Sequence, residues 1–264
     1  MMLTLPNSTE AKLAATINAI GTDSFAAKLY DWLGRCFEID NCTVVSFYQT
    51  GQPEVLFSKS NVKQVHDRME IDYISGAYQL DPFHDLHVNA MPNGLYRLKD
   101  CAPDHFHRNE YYAKYFKQTT LIDEICYHVT FEQGVTVQIC LGRDISSNRT
   151  FSARDLRIAE NLSAIACSLI AQQWKGLNPK GETTTDSLVS HIKKQLSEHR
   201  GIHLSQRQCE VALLILRGHS TISIGLRLGI SPQTVKVFRK QLYRKCAISS
   251  QAELFSLMSE FLAR

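Results

Sequence analysis

The sequence predicts an α+β chain in two parts. The first is an N-terminal domain with a mostly antiparallel sheet flanked by helices, and the second is an all-α C-terminal domain of four helices. Three observations predict it. Across the first 174 residues the apolar pattern passes from helical to alternating and back to helical spacing. The stretch KGLNPKGETTTD at 175–186 concentrates Gly, Pro, Thr and charge, as a linker does. Residues 201–264 then return to short helical patterns punctuated by Gly and Ser. The expected boundaries are 1–174, a linker over 175–200, and 201–264, and 264 residues suffice for two ordinary domains.

Taken in order, helical spacing predicts helices over 9–19, 25–37 and 62–77. Alternation predicts strands over 42–48, 54–58, 124–131 and 136–141, the last two joined in a hairpin around Glu132-Gln133-Gly134. After Phe151-Ser152-Ala153, LRIAENLSAIACSLIAQQW predicts a long helix with Leu156, Leu162, Ile165, Leu169 and Ile170 on its apolar face. No apolar run approaches the roughly 20 residues of a membrane span, and MMLTLPNSTEAK has neither the basic nor the apolar part of a secretion signal. A cytoplasmic protein without a membrane partner is expected. Eight cysteines with no CxxC pair predict mostly buried, reduced thiols and not a zinc knuckle or disulfide framework.

The C-terminal helices announce their own ends. Ser205-x-x-Gln208 is a capping box opening a helix that carries Val211, Leu214 and Ile215, and Gly218 closes it. Ser220 caps the next, where Ile224 and Leu228 share a face, and Gly229 supplies a left-handed turn residue. Ser231 caps a third, with Pro232 at its first position. At about 100° per residue, Val235, Phe238 and Leu242 lie on one side of this helix, and Gln233, Lys236, Val237, Lys240 and Arg244 on the other. No acid interrupts 232–245, so the outer side meets phosphates without like-charge repulsion and suits a major groove.

Charge agrees with that reading. Nine Lys or Arg against three acids give 201–264 a balance of +6, and the whole chain carries +3, so residues 1–200 carry −3. A fourth helix opens on the capping box Ser250-x-x-Glu253 and bears Leu254, Phe255, Leu257, Met258, Phe261 and Leu262, more apolar surface than about 60 residues should cover. The surplus predicts a homodimer seam and two half-sites on a double-stranded DNA operator.

These residues carry a resemblance. Residues 204–262 resemble the C-terminal DNA-binding domain of the LuxR/GerE family of bacterial regulators through L-S-x-R-x-x-E-V (204–211), I-x-x-x-L-G-I-S-x-x-T-V-K-V (224–237) and K-x-x-x-S-S-x-A-E-L (245–254). The resemblance implies that Lys236, Val237 and Lys240 touch base edges and that Ser231, Gln233, Thr234, Arg239 and Arg244 hold the backbone. RNA polymerase is a further partner expected of such a regulator. Gly225 stands where the family has Ala, weakening its helix by about 1 kcal/mol, and Phe238 stands where His is common.

The N-terminal domain reads as a GAF/PAS-like sensor. Nine aromatics fall between Tyr73 and Phe116, with Asp81, Asp85 and several histidines among them, and aromatic walls with a few polar groups make small-molecule pockets. The candidate ligand residues are Tyr73, Tyr78, Asp81, Phe83, Tyr96 and Tyr112. The order Tyr73, Asp81-Pro82, Tyr96 resembles the autoinducer-binding domain of quorum-sensing LuxR regulators, which makes Asp81 the acceptor of a ligand amide and Tyr96 a pocket roof. That family's lactone-donating Trp falls near Arg68 or Met69, where this chain has none. The preferred expectation is a small-molecule effector other than an acyl-homoserine lactone. The alternatives are a lactone receptor and a ligand-independent regulator controlled by a protein partner. Asp81 before Pro82 also suits a turn cap, and at least two of Tyr111, Tyr112, Tyr115 and Phe116 suit a core.

Other chemistries find less support. His84 and His87 share a helical face and Asp104-His105-Phe106-His107 adds donors, yet no HExxH or Cys-rich cluster accompanies them, and no metal or cofactor is expected. No GxSxG, GxxxxGK[ST] or GxGxxG signature marks an enzyme. The βα alternation of a phosphorylated receiver is also missing.

Overall fold

The computed structural model describes residues 8–49, 51–178 and 188–262. Its elements begin with α1 (Thr9–Asn18), α2 (Phe25–Cys36), β1 (Asn41–Phe47), β2 (Glu54–Ser60), α3 (Pro82–Val88), β3 (Gly94–Arg97), α4 (Leu98–Cys101) and α5 (Glu110–Lys114). There follow β4 (Leu121–Thr130), β5 (Thr136–Asp144), α6 (Ala153–Trp174), α7 (Leu188–Arg200), α8 (Gln206–Arg217), α9 (Thr221–Leu228), α10 (Pro232–Cys246) and α11 (Gln251–Ser259). The chain divides into two compact units. One holds the described residues up to 67 with 86–101 and 119–178, and the other holds 68–85, 102–118 and the described residues from 188 onward.

The first unit is built on an antiparallel sheet in the order β2-β1-β5-β4-β3. Because side chains alternate across a strand, Val44, Ile125, Tyr127, Val137, Ile139 and Leu141 form one apolar face. The apolar stripes of α2 and α6 join that core, with Phe25 edge-on to Trp174 at 5.4 Å. Ser152 and Asp155 cap α6 reciprocally. The stripe of α6 is Ile158, Ala159, Leu162, Ala166, Leu169, Ile170 and Trp174. Ile165, expected inside, is 43% exposed, because the true stripe runs one turn-position aside. The hairpin forms where the sequence placed it, with Gly134 at φ +78.

The second sheet face is polar and buried. His128 contacts Gln138 and Thr130, Thr130 contacts Thr136, and Thr136 meets His87, in a chain of hydrogen bonds of 2.7–3.1 Å. Burial pushes the His128 imidazole down to about 4, so it is neutral at physiological pH.

One expectation fails here, and one element was not expected. The helix over 62–77 is instead a 3₁₀ turn (Lys63–Val65), a π turn (Met69–Tyr73) and a further 3₁₀ turn (Ala77–Leu80), with Gly76 at φ 153 where no helix can continue. Ile71, within that range, is 75% exposed. β3, only four residues long at the sheet edge, was not anticipated.

In the second unit the expected caps all form: Ser205 with Gln208, Ser220, Ser231, and Ser250 with Glu253. Gly218 and Gly229 take left-handed conformations at the ends of α8 and α9. Gly225 has a packing reason for its missing side chain, since a Cβ there would lie 2.8 Å from the Ile230 carbonyl oxygen. Residues 175–200 were expected as linker, of which 179–187 lie outside the described residues, and α7 occupies Leu188–Arg200. Its Leu188, Ile192 and Leu196 are buried.

The apolar surplus of α11 is largely covered within the chain. Leu254, Met258, Phe261 and Leu262 are buried, His199 stacks on Phe261, and the Lys114 ammonium lies 4.6 Å from the Phe255 ring centre. The surplus that predicted a dimer seam is therefore accounted for by α5 and α7.

Candidate nucleic-acid interface and its aromatic frame

The recognition geometry follows from how α10 buries one side. Val235 and Leu242 are 1% and 0% exposed, and α8 and α9 pack against them. The opposite side is open: Gln233, Lys236, Val237, Arg239, Lys240 and Arg244 are exposed, and Thr234 is half-buried. Among the described residues, Lys236, Lys240 and Arg244 form no ion pair. Val237, 46% exposed, stands between the two lysines, an apolar contact of the kind a thymine methyl takes. Ser231 accepts from the Thr234 amide at 3.0 Å, and Arg239 lies over Tyr243 and donates to its hydroxyl at 3.2 Å. Seven of the eight residues predicted to meet DNA are thus exposed, and Thr234 is half-buried.

The turn between α8 and α9 is held by stretches from the N-terminal half. Arg217 Nη1 lies 2.6 Å from Asp85 and Arg217 Nε donates to the Gln79 carbonyl at 3.1 Å. Asn109 Nδ2 donates to the Arg217 carbonyl at 2.9 Å, the His105 amide donates to the Gly218 carbonyl at 2.9 Å, and the Ser220 amide donates to Asp104 at 2.8 Å. Burial lowers the Arg217 guanidinium's pKa, opposed by Asp85. Burial works to raise Asp104, and the bonds from Ser220 outweigh it and hold that carboxylate below its usual range. A Cβ on Gly218, at φ +95, would lie 2.8 Å from Asn109 Nδ2. Sequence reasoning missed these residues. A basic side chain in the last turn of a helix reads as a dipole partner, and nothing local distinguishes Arg217 from that.

The aromatic residues in these stretches pack into one chain of rings. Tyr78 neighbours Tyr73, Tyr73 neighbours Tyr115, Tyr115 neighbours Tyr111, and Phe106 touches Tyr111, Tyr112 and Phe116, at centroid distances of 5.5–6.3 Å. Asp81 joins them: it accepts the Tyr73 hydroxyl at 2.7 Å and the Phe83 amide at 2.8 Å, the second bond capping α3. Burial pushes its carboxyl up to about 6 against these bonds.

Tyr73, Tyr78, Asp81, Phe83 and Tyr112 therefore share the second unit. Tyr96 belongs to the first, edge-on to His128 on β3, its hydroxyl donating to the Pro92 carbonyl at 2.7 Å. The candidate metal donors are engaged elsewhere: His87 with Thr136 and the Tyr48 carbonyl, His84 edge-on to Tyr78, Asp104 at Ser220. Among the described residues no cluster of three or more His, Cys, Asp or Glu could hold a metal ion.

A capped four-helix unit with a turn glycine and an open cationic recognition helix defines a helix-turn-helix DNA-binding regulator. Residues 203–258 match the family of bacterial regulatory proteins of the LuxR type, GerE. The chain is 30% identical over 187 residues to a protein of Aeromonas salmonicida described as an HTH-type transcriptional regulator in the exeN 3′ region, covering 69% of this chain and 94% of that one. It thus belongs to the LuxR family of HTH-type transcriptional regulators. A shorter match, 39% identical over 51 residues, joins 19% of this chain to 24% of the response regulator GacA of Pseudomonas aeruginosa. Among solved structures, the VqsR LBD domain from Pseudomonas aeruginosa superposes over 66% of this chain and all of that one, with a TM-score of 0.55 at 24% identity. The N-terminal part of the chain therefore shares the fold of that domain. No described helix is long and apolar enough to cross a membrane.

Proposed function

We propose that this regulator reads a double-stranded operator with Lys236, Val237 and Lys240 at base edges, while Ser231, Gln233, Thr234, Arg239 and Arg244 hold the phosphate backbone. The observation that supports it is the open side of α10, where Lys236 and Lys240 flank an exposed valine and, among the described residues, form no ion pair. Lys240→Ala should weaken operator binding by roughly 1–3 kcal/mol in a gel-shift titration, and unchanged binding rules the assignment out.

The protein acts, in this proposal, as a cytoplasmic homodimer on two half-sites, with RNA polymerase as the partner of the bound complex. A monomeric operator complex in sedimentation analysis removes the dimer.

A small-molecule effector modulates that binding through the frame around α8. Asp81 and Tyr73 lie in the same stretch that supplies Gln79 and Asp85 to Arg217. An effector that takes the Asp81 carboxylate, or the space of Tyr73, Tyr78, Phe83 or Tyr112, shifts the equilibrium between two settings of that stretch, and with it the presentation of the α8–α9 turn. The acyl-homoserine-lactone alternative lacks the lactone-donating Trp, since this chain has none near Arg68 or Met69. Thermal-shift screening of metabolites and lactones, followed by operator titration with any stabilising compound, tests the coupling. Equal operator affinity with and without that compound refutes it, and no stabilisation by any compound returns control to a protein partner.

A further inference from the structure

The residues matched by the family begin at 203, so α7 stands outside them, and it carries surface that the proposed recognition surface does not use. Its buried stripe turns Ser190, Lys193, Lys194 and Ser197, spaced i, i+3, i+4 and i+7, to a single opposite side. That side lines a cleft of about 420 Å³, closed across by His203, Leu204 and Gln206. Lys193 and Lys194 are exposed and, among the described residues, form no ion pair. Glu198 is the single acid on the cleft wall.

The cleft adjoins the recognition helix. Lys245, in the last turn of α10, donates to the His203 carbonyl at 2.8 Å and to Gln208 at 3.1 Å, and Gln208 donates to Gln241 at 3.1 Å. The cleft's rim is therefore bonded to the flank of α10 at Gln241 and Lys245. At about 100° per residue these positions sit roughly a quarter-turn round the helix from the Lys240 and Arg244 side. Lys193 and Lys245 also act together on the Cys209 thiol, both opposing the upward push of its burial. Lys193 and Lys194 thus line a cleft whose rim residue His203 is bonded to Lys245 of α10, with Ser190 and Ser197 on the same wall.

We propose that the Lys193–Lys194 face of α7 is a second DNA-contacting surface that takes backbone phosphates flanking the groove entered by α10. The inference rests on the DNA-binding reading above and extends it to a helix outside the matched domain. Exposed ammonium groups bind phosphodiesters as point charges and release counterions, so this surface adds affinity and salt dependence without reading sequence.

The test uses the full chain and a duplex enriched from a random pool by the wild type, alongside a scrambled duplex, in anisotropy titrations across a salt series. The double variant Lys193→Gln/Lys194→Gln should lower the slope of log affinity against log salt by about two and weaken both duplexes alike, on the order of tenfold at physiological salt. Lys240→Ala is the control and should reduce discrimination between the duplexes. Circular dichroism and thermal melting confirm that the double variant is folded. An unchanged slope in the folded double variant, with Lys240→Ala still defective, overturns this inference and leaves the reading of α10 intact. An unchanged slope accompanied by lost transcription with purified RNA polymerase also overturns it and assigns the lysines to a protein contact. Inorganic phosphate at constant ionic strength that shifts the melting of wild type but not of the double variant, with no change in slope between them, marks a free-anion site and overturns it as well. Wild-type protein that binds neither duplex overturns the α10 reading and this inference together.

Discussion

Replacing Arg217 by Met removes the cation that ties the end of α8 to residues 79–85 while keeping a side chain of similar length. The guanidinium is 10% exposed and its partner Asp85 14%, at 2.6 Å, and Nε also satisfies the Gln79 carbonyl. Removing one partner of a buried pair strands a charge in a poorly solvated place, at about 3–5 kcal/mol. Replacing both partners by apolar groups of similar size is often neutral or better, so Arg217→Met with Asp85→Leu should recover most of that loss. The cycle of four proteins should give a coupling of at least about 2 kcal/mol. Chemical unfolding supplies the stabilities, and hydrogen exchange at the His219 and Ser220 amides shows whether the loss is local to the α8–α9 turn. Operator affinity of Arg217→Met at a temperature where it is folded should lose its response to a stabilising compound, since the proposed coupling runs through this contact. A single-variant cost below about 1 kcal/mol, or a double variant as weak as the sum of the singles, refutes the reasoning.

Gly218→Ala should cost about 2 kcal/mol in thermal unfolding, because a left-handed backbone and a Cβ 2.8 Å from Asn109 act together. Ala247 closes α10 at φ +53, so Ala247→Gly should raise stability by up to about 1 kcal/mol, measured the same way. Asp81 is pushed up to about 6 by burial, so its neutral form stabilises the fold at low pH and that contribution is lost as pH rises from about 4 through 6. His219 is held down to about 4 by burial, Arg227 and Arg217, so its contribution runs the other way and is lost as pH falls from about 6.5 toward 4. The two oppose each other in one pH window. Asp81→Asn should therefore make the slope of melting temperature against pH more positive between pH 4 and 6, and His219→Gln should make it less positive; a pH series of melting curves checks both signs.

How legible the fold was depended on how local its causes are. Caps at Ser152, Ser205, Ser220, Ser231 and Ser250 are read within four residues, and all form as expected. The alternation of Ile125, Tyr127 and Val129 with Cys126, His128 and Thr130 was equally local and placed β4 correctly, although the polar network on its second face was left unread. Residues 62–77 had the apolar spacing of a helix, but the spacing carries no record of Gly76 or of where Ile71 points. The open side of α10 followed from a 100° rotation per residue. The bonds from Asp104, Asn109 and Asp85 to 217–220 join residues more than 100 positions apart, and no local pattern encodes them. The cover over α11 was missed for the same reason, since Lys114 and His199 come from outside the stretch whose surface was being counted.

A unit assembled from 68–85, 102–118 and the C-terminal helices has a schedule imposed on it during synthesis. Asn109 waits 108 residues for its partner carbonyl at Arg217, about 5–20 s at ordinary elongation rates of roughly 5–20 residues per second. Through that interval the rings of Tyr73, Phe106 and Tyr111 are on a nascent chain without the helices that complete their surroundings. Newly made copies are therefore exposed to aggregation and to chaperone capture until the C-terminal helices have been made, and a copy cut short before α8 never completes this unit.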